Sequence, residues 1–189
     1  MPRIGFDKVY AAELLTDPMG GPATYGVPMW LGAGISAGVE HTSDSSILDA
    51  DDHQTDIFIN YGGTTVTLNV RELPVKSACM LQGHKLSATG GVIRSASDVA
   101  PYVALMFRCM KSDGTYQYCV LFKGKFQLAG SNAETKKKGG VTFQTPTLTA
   151  DFIARDSDGQ FEYYVDENEN NASEIATWFT AVPTPAAAA

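Results

Sequence analysis

The residues with most scope for chemistry lie between positions 49 and 56, where Asp49, Asp51, Asp52 and Asp56 surround His53 in the stretch DADDHQTD. Carboxylates at alternate positions can gather around a hard cation such as calcium. The glycine and closing glutamate of a helix-flanked calcium loop are missing, so an acidic solvated loop is the plainer reading. His41, His53 and His84 are far apart and none sits in an HExxH frame, which argues against a histidine-based zinc centre. Ser36, Ser43 and Ser45 lack the GxSxG elbow that would make one of them a nucleophile. The glycine pairs at 90–91 and 139–140 lack the GK[ST] and GxGxxG frames that cradle phosphate, and they read as turns. Lys136, Lys137 and Lys138 form a basic loop tip, open either to plain solvation or to salt bridges with a neighbouring subunit. No catalytic set emerges and no cofactor is implied, so the expectation is a protein that is not an enzyme.

Composition narrows the remaining classes. The 189 residues, 44% hydrophobic, can bury a full core. No run approaches the roughly 18 apolar residues of a membrane helix, and the N-terminal residues lack the apolar segment of a secretory signal. Neither export nor a bilayer is expected. Cys79, Cys109 and Cys119 have no CxxC spacing and sit in apolar surroundings, which predicts buried free thiols in a reducing compartment. The formal charge is −7, from 21 acids and 14 bases, and tight nucleic-acid binding needs the opposite sign. Glu40, Asp44, Asp49, Asp51, Asp52 and Asp56 follow one another with no Lys or Arg between them, and the residues from Asp156 onward contain seven acids and no base. The tyrosines are not interleaved with bases, as a single-strand binding platform would require.

The elements that must position these residues are strands. Asp113-Gly114 lies between two apolar runs within 99–129, a strong hairpin signal. In the returning arm Tyr116, Tyr118, Val120, Phe122, Phe126 and Leu128 fall on one face by alternation. The outgoing arm is apolar on both faces over 103–107, so it must be covered twice, by its own core and by another layer or subunit. Further strands are expected at 3–13, 25–31, 35–39, 64–72, 85–93, 141–154 and 160–165. Residues 40–63 read as a long excursion, with two short strands around an acidic turn. Pro74 opens a two-turn helix over 74–82, with Val75, Ala78, Cys79 and Gln82 on one face and Gly83 as its stop. A last short helix is expected over 172–179. The sum is a mainly β chain, an antiparallel β-sandwich or barrel-like fold with one or two short helices.

Several segments in order carry a resemblance: IGFDKVYAA at 4–12, ADD at 50–52, PYVALMFR at 101–108, KSDGTYQY at 111–118, FKGKF at 122–126, AETKK at 133–137 and VTFQTPTLT at 141–149. Together they resemble the major tail proteins, or tail tube proteins, of long-tailed bacteriophages of the phi13 type, over residues 4 to about 165. The resemblance implies a tail tube domain over 1–180 whose strands join between subunits into a hexameric ring; the Ala- and Pro-rich residues 181–189 offer no core to join and read as a disordered tail. Rings would stack around the tape measure protein and meet the tail terminator and tail-tip or baseplate proteins. DNA would pass through the lumen without specific binding. The location implied is the virion tail, with assembly in the host cytoplasm. By position, 40–63 matches the loop that reaches a neighbouring ring, which makes Asp49, Asp51, Asp52, His53, Asp56, Lys136, Lys137 and Lys138 candidate inter-ring contacts. Arg3, Phe6, Glu72 and Asp151 are candidates for inter-subunit or lumen positions. The competing reading from another class is a β-sandwich binding or adhesion module on a particle surface.

Overall fold

The computed structural model describes residues 1–50, 53–128, 130, 135 and 143–185. The chain is mainly β with two short helices: β1 (Arg3–Thr16), β2 (Thr24–Tyr25), β3 (Met29–Gly32), β4 (Gly34–Ala50), β5 (His53–Val70), α1 (Val75–Gln82), β6 (Lys85–Leu86), β7 (Val92–Ile93), β8 (Val103–Lys111), β9 (Tyr116–Phe126), β10 (Thr147–Ile153), β11 (Glu162–Asp166) and α2 (Ala172–Thr177). One sheet runs β2-β1-β8-β9-β10-β5-β4, with β3 joined to β1 and β11 to β9, while β6 and β7 form a separate small hairpin. Every pairing is antiparallel. The sheet curls until β4 lies beside β1, where the Phe6 ring closes against Gly34, and Phe6, Ala37 and Val39 each pack against the inner core.

The central hairpin β8–β9 is buried on both faces, as the double apolar pattern requires. Val103, Leu105, Phe107 and Cys109 face an inner core with Val66, Leu68 and Leu148, whereas Ala104 and Met106 face a second core. The curl of the sheet and α1 enclose the inner core. The second is covered by α2 and the residues after it: Trp178 is fully buried, its ring 5.5 Å from Tyr118 and 5.6 Å from Tyr163, and Val182 packs beside it.

Three details differ from the sequence reading. Phe126 does not share a face with Tyr118, Val120 and Phe122. Val103 pairs with Gly124 and Leu105 with Leu121, so β9 carries one inserted residue, and the resulting bulge turns Phe126 into the inner core. Gly124 is needed there, because a Cβ at that position would lie 2.4 Å from the Phe152 ring. In α1 the buried positions are Ser77, Cys79, Leu81 and Gln82, while Val75 is exposed; the Ser77 hydroxyl donates to the Trp30 carbonyl at 2.7 Å. Finally, 35–39, 40–63 and 64–72 are not separate pieces but two long strands, β4 with 17 residues and β5 with 18.

A buried ion cluster fastens the 155–159 turn to the end of β1. Lys123 Nζ donates to Asp17 at 2.8 Å and to Asp156 at 2.6 Å. Asp17 also accepts the backbone N–H groups of Asp156 and Ser157 at 2.8 and 3.0 Å. Burial alone would raise the Asp17 carboxyl, but these donors outweigh it and hold its pKa well below the usual carboxylate range.

Two outcomes follow for stability. Trp178→Ala should lower unfolding stability by about 3–5 kcal/mol in urea titration, because it removes the lid of the second core. Asp17→Asn should cost about 3 kcal/mol at neutral pH by leaving Lys123 underpaired in a buried site. The folded pKa of Asp17 is depressed, so its contribution is complete above the unfolded value of about 4 and is lost as pH falls below it. The gap between wild type and Asp17→Asn should therefore narrow below about pH 4 in pH-dependent melts.

Candidate assembly surfaces

Beyond Thr64, β4 and β5 leave the body as a two-stranded ribbon paired out to Ala50 and His53. Its base is fixed at three points. Tyr61 stacks on Phe161 with centroids 4.1 Å apart and planes at 15°, and its hydroxyl reaches Thr64 Oγ1 at 2.8 Å and donates to the Phe152 carbonyl at 3.3 Å. Burial pushes the Tyr61 phenol above its ordinary pKa, so it remains a donor across the ordinary pH range. His41 lies with Nδ1 2.8 Å from Thr64 Oγ1 and Nε2 3.2 Å from Glu162. Thr42 pairs with Gly63 and Ser43 with Tyr61, so Gly62 is an inserted residue. Gly63 has φ +129°, a conformation that L side chains rarely adopt and that Gly takes freely.

The ribbon is apolar on both faces. Cross-strand partners share a face: Ser45 with Ile59 and Ile47 with Ile57 continue the core-facing side, whereas Ser46 with Phe58 and Leu48 with Asp56 continue the outer side. Ile47, Leu48, Ile57, Phe58 and Ile59 are all at least half exposed. Asp49, His53 and Asp56 are exposed near the tip, and Asp56 accepts the N–H of Ile57 at 2.8 Å. Asp51, Asp52, Lys136, Lys137 and Lys138 lie outside the described residues.

A second surface is the outer face of β4, β5 and β10, which no helix covers. The register lines up three rows: Glu40–Thr65–Asp151, Gly38–Thr67–Thr149 and Ser36–Asn69–Thr147. These nine positions hold two acids, no base and otherwise small or polar side chains. Asp151 accepts from Thr65 Oγ1 at 2.9 Å and Gln127 Nε2 at 3.1 Å, which orients its carboxylate. Lys125, opposite Asp151 on β9, holds its ammonium 4.4 Å from the Tyr102 ring centroid. Glu72 is not on a strand, because β5 ends at Val70. Arg3 opens β1 at an exposed position, and Phe6 sits at the β1–β4 seam with its ring edge-on to Phe107 at 5.5 Å.

Residues 42–177, well over half the chain, match the model of the phage tail tube protein family. The chain belongs to the phage tail tube protein family. No curated protein matches it in sequence. The match to the tail tube family begins at the ribbon and takes in both core strands and α2, while Arg3 and Phe6 precede it.

Sequence reasoning missed two buried pairs in this tail tube protein, Lys123 with Asp17 and His84 with Asp98. His84 Nδ1 lies 2.7 Å from Asp98 Oδ2, with both side chains almost wholly buried. Asp98 also accepts the Ser95 N–H, and that bond, then the contact with His84, lowers its pKa. The dyad ties the end of α1 to the turn before β8, and the only sequence signal was a lone histidine after a helix stop. Among the described residues, no group of three or more His, Cys, Asp or Glu is placed to hold a metal ion, and all three cysteines are free and buried.

The base contacts make a testable latch. Phe161→Ala should leave global stability within about 2 kcal/mol. It should also raise amide exchange at least tenfold over 42–61 relative to β8 and β9, as read by hydrogen-exchange mass spectrometry.

Proposed function

We propose that the chain is the structural subunit of a long-tailed phage tail tube, of the phi13-type major tail protein group. Its copies close into hexameric rings, and the rings stack around the tape measure protein into the conduit that passes the genome to the host. The tail terminator and tail-tip or baseplate proteins bound the tube at its ends, the finished protein resides in the virion tail, and assembly takes place in the host cytoplasm. The work is mechanical and not enzymatic.

The observation that carries this reading is the ribbon. Five large apolar side chains stand in water on a rigid, pinned extension. Completing the burial of each is worth about 1 kcal/mol, or about 5 kcal/mol together, enough to drive association when repeated in every copy. An isolated fold has no use for such a surface, whereas a stacking contact does. Asp49, Asp51, Asp52, His53 and Asp56 then sit at the inter-ring contact with Lys136, Lys137 and Lys138 as candidate counter-charges. Strand edges of β4 and β11 that have no partner among the described residues support lateral joining of sheets around a ring, which removes exposed edges. The polar rows support a lumen wall, with Asp151 and Glu40 facing the passing DNA, since a surface of acids and hydroxyls offers phosphates no cation to hold them.

Negative-stain electron microscopy of the concentrated protein, with its mass in solution, tests the proposal. Hollow tubes or rings with six-fold end views are expected, either spontaneously or after seeding with tail-tip complexes. A chain that stays monomeric under both conditions overturns the tube and favours a surface binding module. Ile57→Asp with Ile59→Asp should keep the melting temperature of the monomer within a few degrees, because both side chains are exposed. The pair should raise the concentration at which tubes form by about a hundredfold or more, matching a loss of about 3 kcal/mol per contact.

A further inference from the structure

We propose that the ribbon tip of one copy seats in the cleft between β1 and β4 of a second copy, a docking that rests on the inter-ring role proposed above. The curled sheet does not close by hydrogen bonds at this seam. β1 pairs with β8 on one side and, on the other, with β3 at Val9, Tyr10 and Ala11 and with β2 at Leu14 and Thr16, which leaves Arg3 to Lys8 without a partner there, and among the described residues β4 pairs only with β5. Between the two strands lies a cleft of about 400 Å³ lined by Ile4, Phe6, Ala37, Val39 and Phe107, together with Arg3. Ile35 links it to an adjoining hollow of about 650 Å³ that includes Arg71 and Phe143. The result is an apolar trough with an arginine in each half, and neither arginine forms an ion pair among the described residues.

The ribbon complements this trough in both properties. It presents Ile47, Ile57 and Ile59 on one face, and its charges are all acidic, because no Lys or Arg occurs from Val9 to Val70. Asp49 is exposed at the end of this face, and Asp44 and Asp56 are exposed on the opposite one, so a ribbon lying in the trough turns its isoleucines to the apolar floor and these acids toward the rim. A chain cannot fill its own trough. Val39 and Asp49 are ten residues apart on the same extended strand, about 33 Å at strand rise, and the pinned base prevents the ribbon from folding back. The occupant is therefore another copy. Tip and trough are different surfaces, so the contact is heterologous: each copy offers one of each, and the contact propagates along an axis instead of closing a two-fold dimer.

Cross-linking under mild oxidation tests this docking in the full-length chain. The double variant Ile35→Cys with Ile57→Cys should give a ladder of dimers, trimers and longer species on non-reducing gels of assembled protein. Cys109 lines the cleft, so the variants are built on a Cys109→Ser background, in which each single variant should give none because Cys79 and Cys119 are buried. In parallel, Arg3→Glu with Arg71→Glu should raise the concentration needed for assembly at least tenfold, and adding Asp49→Lys with Asp56→Lys should restore it. Tubes seen by microscopy without a ladder would overturn the trough as the seat while leaving the stacking role intact. A ladder that stops at dimers would overturn the head-to-tail arrangement. Absence of tubes from the wild type, even when seeded, would remove the stacking role and this docking together.

Discussion

A strand pair that is apolar on both faces cannot be satisfied by one sheet and one core, and the architecture follows from that constraint. On β8 and β9, neighbouring residues point alternately into the inner core and the second core, and both sets are buried. The inner set is satisfied by curling the sheet until β4 meets β1. The outer set needs material from elsewhere, and the chain supplies it from its C-terminal segment, with Trp178 over Tyr118 and Tyr163. Each solution leaves a residue of unfinished structure. The curl ends in an unpaired seam lined by Phe6, and the C-terminal cover reaches only the middle strands, so among the described residues nothing covers the outer face of β4, β5 and β10.

The ribbon obeys the opposite rule. A two-stranded hairpin is marginal in water by itself, yet here its register is inherited from the six pairs between β5 and β10 that lie inside the body, Asn69 with Thr147 through Thr64 with Phe152. The Tyr61–Phe161 stack and the contacts of His41 with Thr64 and Glu162 then fix the angle at which it leaves. Most of the ordering cost is met during folding, which leaves less to oppose docking. The same surface is a hazard, because a long apolar edge invites wrong pairing. Asp44, Asp49 and Asp56 counter it: two ribbons that approach each other meet like charges, whereas a ribbon that approaches a basic trough does not.

What could be read from residues alone was local and periodic. The Asp113-Gly114 reversal, the doubly apolar run after Pro101 and the Pro74-to-Gly83 helix each carry their signal within a dozen positions, and each is where the pattern places it. The bulge in β9 left no such trace, since one inserted residue shifts Phe126 to the other core without altering the composition of the strand. Residues 41–46 read as polar and turn-like because they consist of His, Thr, Ser and Asp. They form strand because register propagates outward from the core pairs, a tertiary effect that overrides local preference. The three polar rows could not be seen either: Glu40, Thr65 and Asp151 are far apart in the chain and meet only through the order β4-β5-β10.

Those rows also bear on how a conduit lets a polyanion slide. Fixed charges act over about 8 Å at physiological salt, so a wall influences DNA mainly where the two come close, and the chemistry of the outermost side chains decides whether contact is sticky. Threonine, serine and glycine at Thr67, Thr149, Ser36 and Gly38 keep the surface low, and in the lumen role proposed above Glu40 and Asp151 would turn phosphates away from it. Among the described residues, the cation beside these rows is Lys125, which lies opposite Asp151 with its ammonium over the Tyr102 ring, so the protein itself engages the charge that a phosphate would otherwise seek. If the copies close with this face inward, its acids do more than keep the protein soluble. They prevent each subunit from adding a small binding energy that, repeated along a tube, would hold the genome in place.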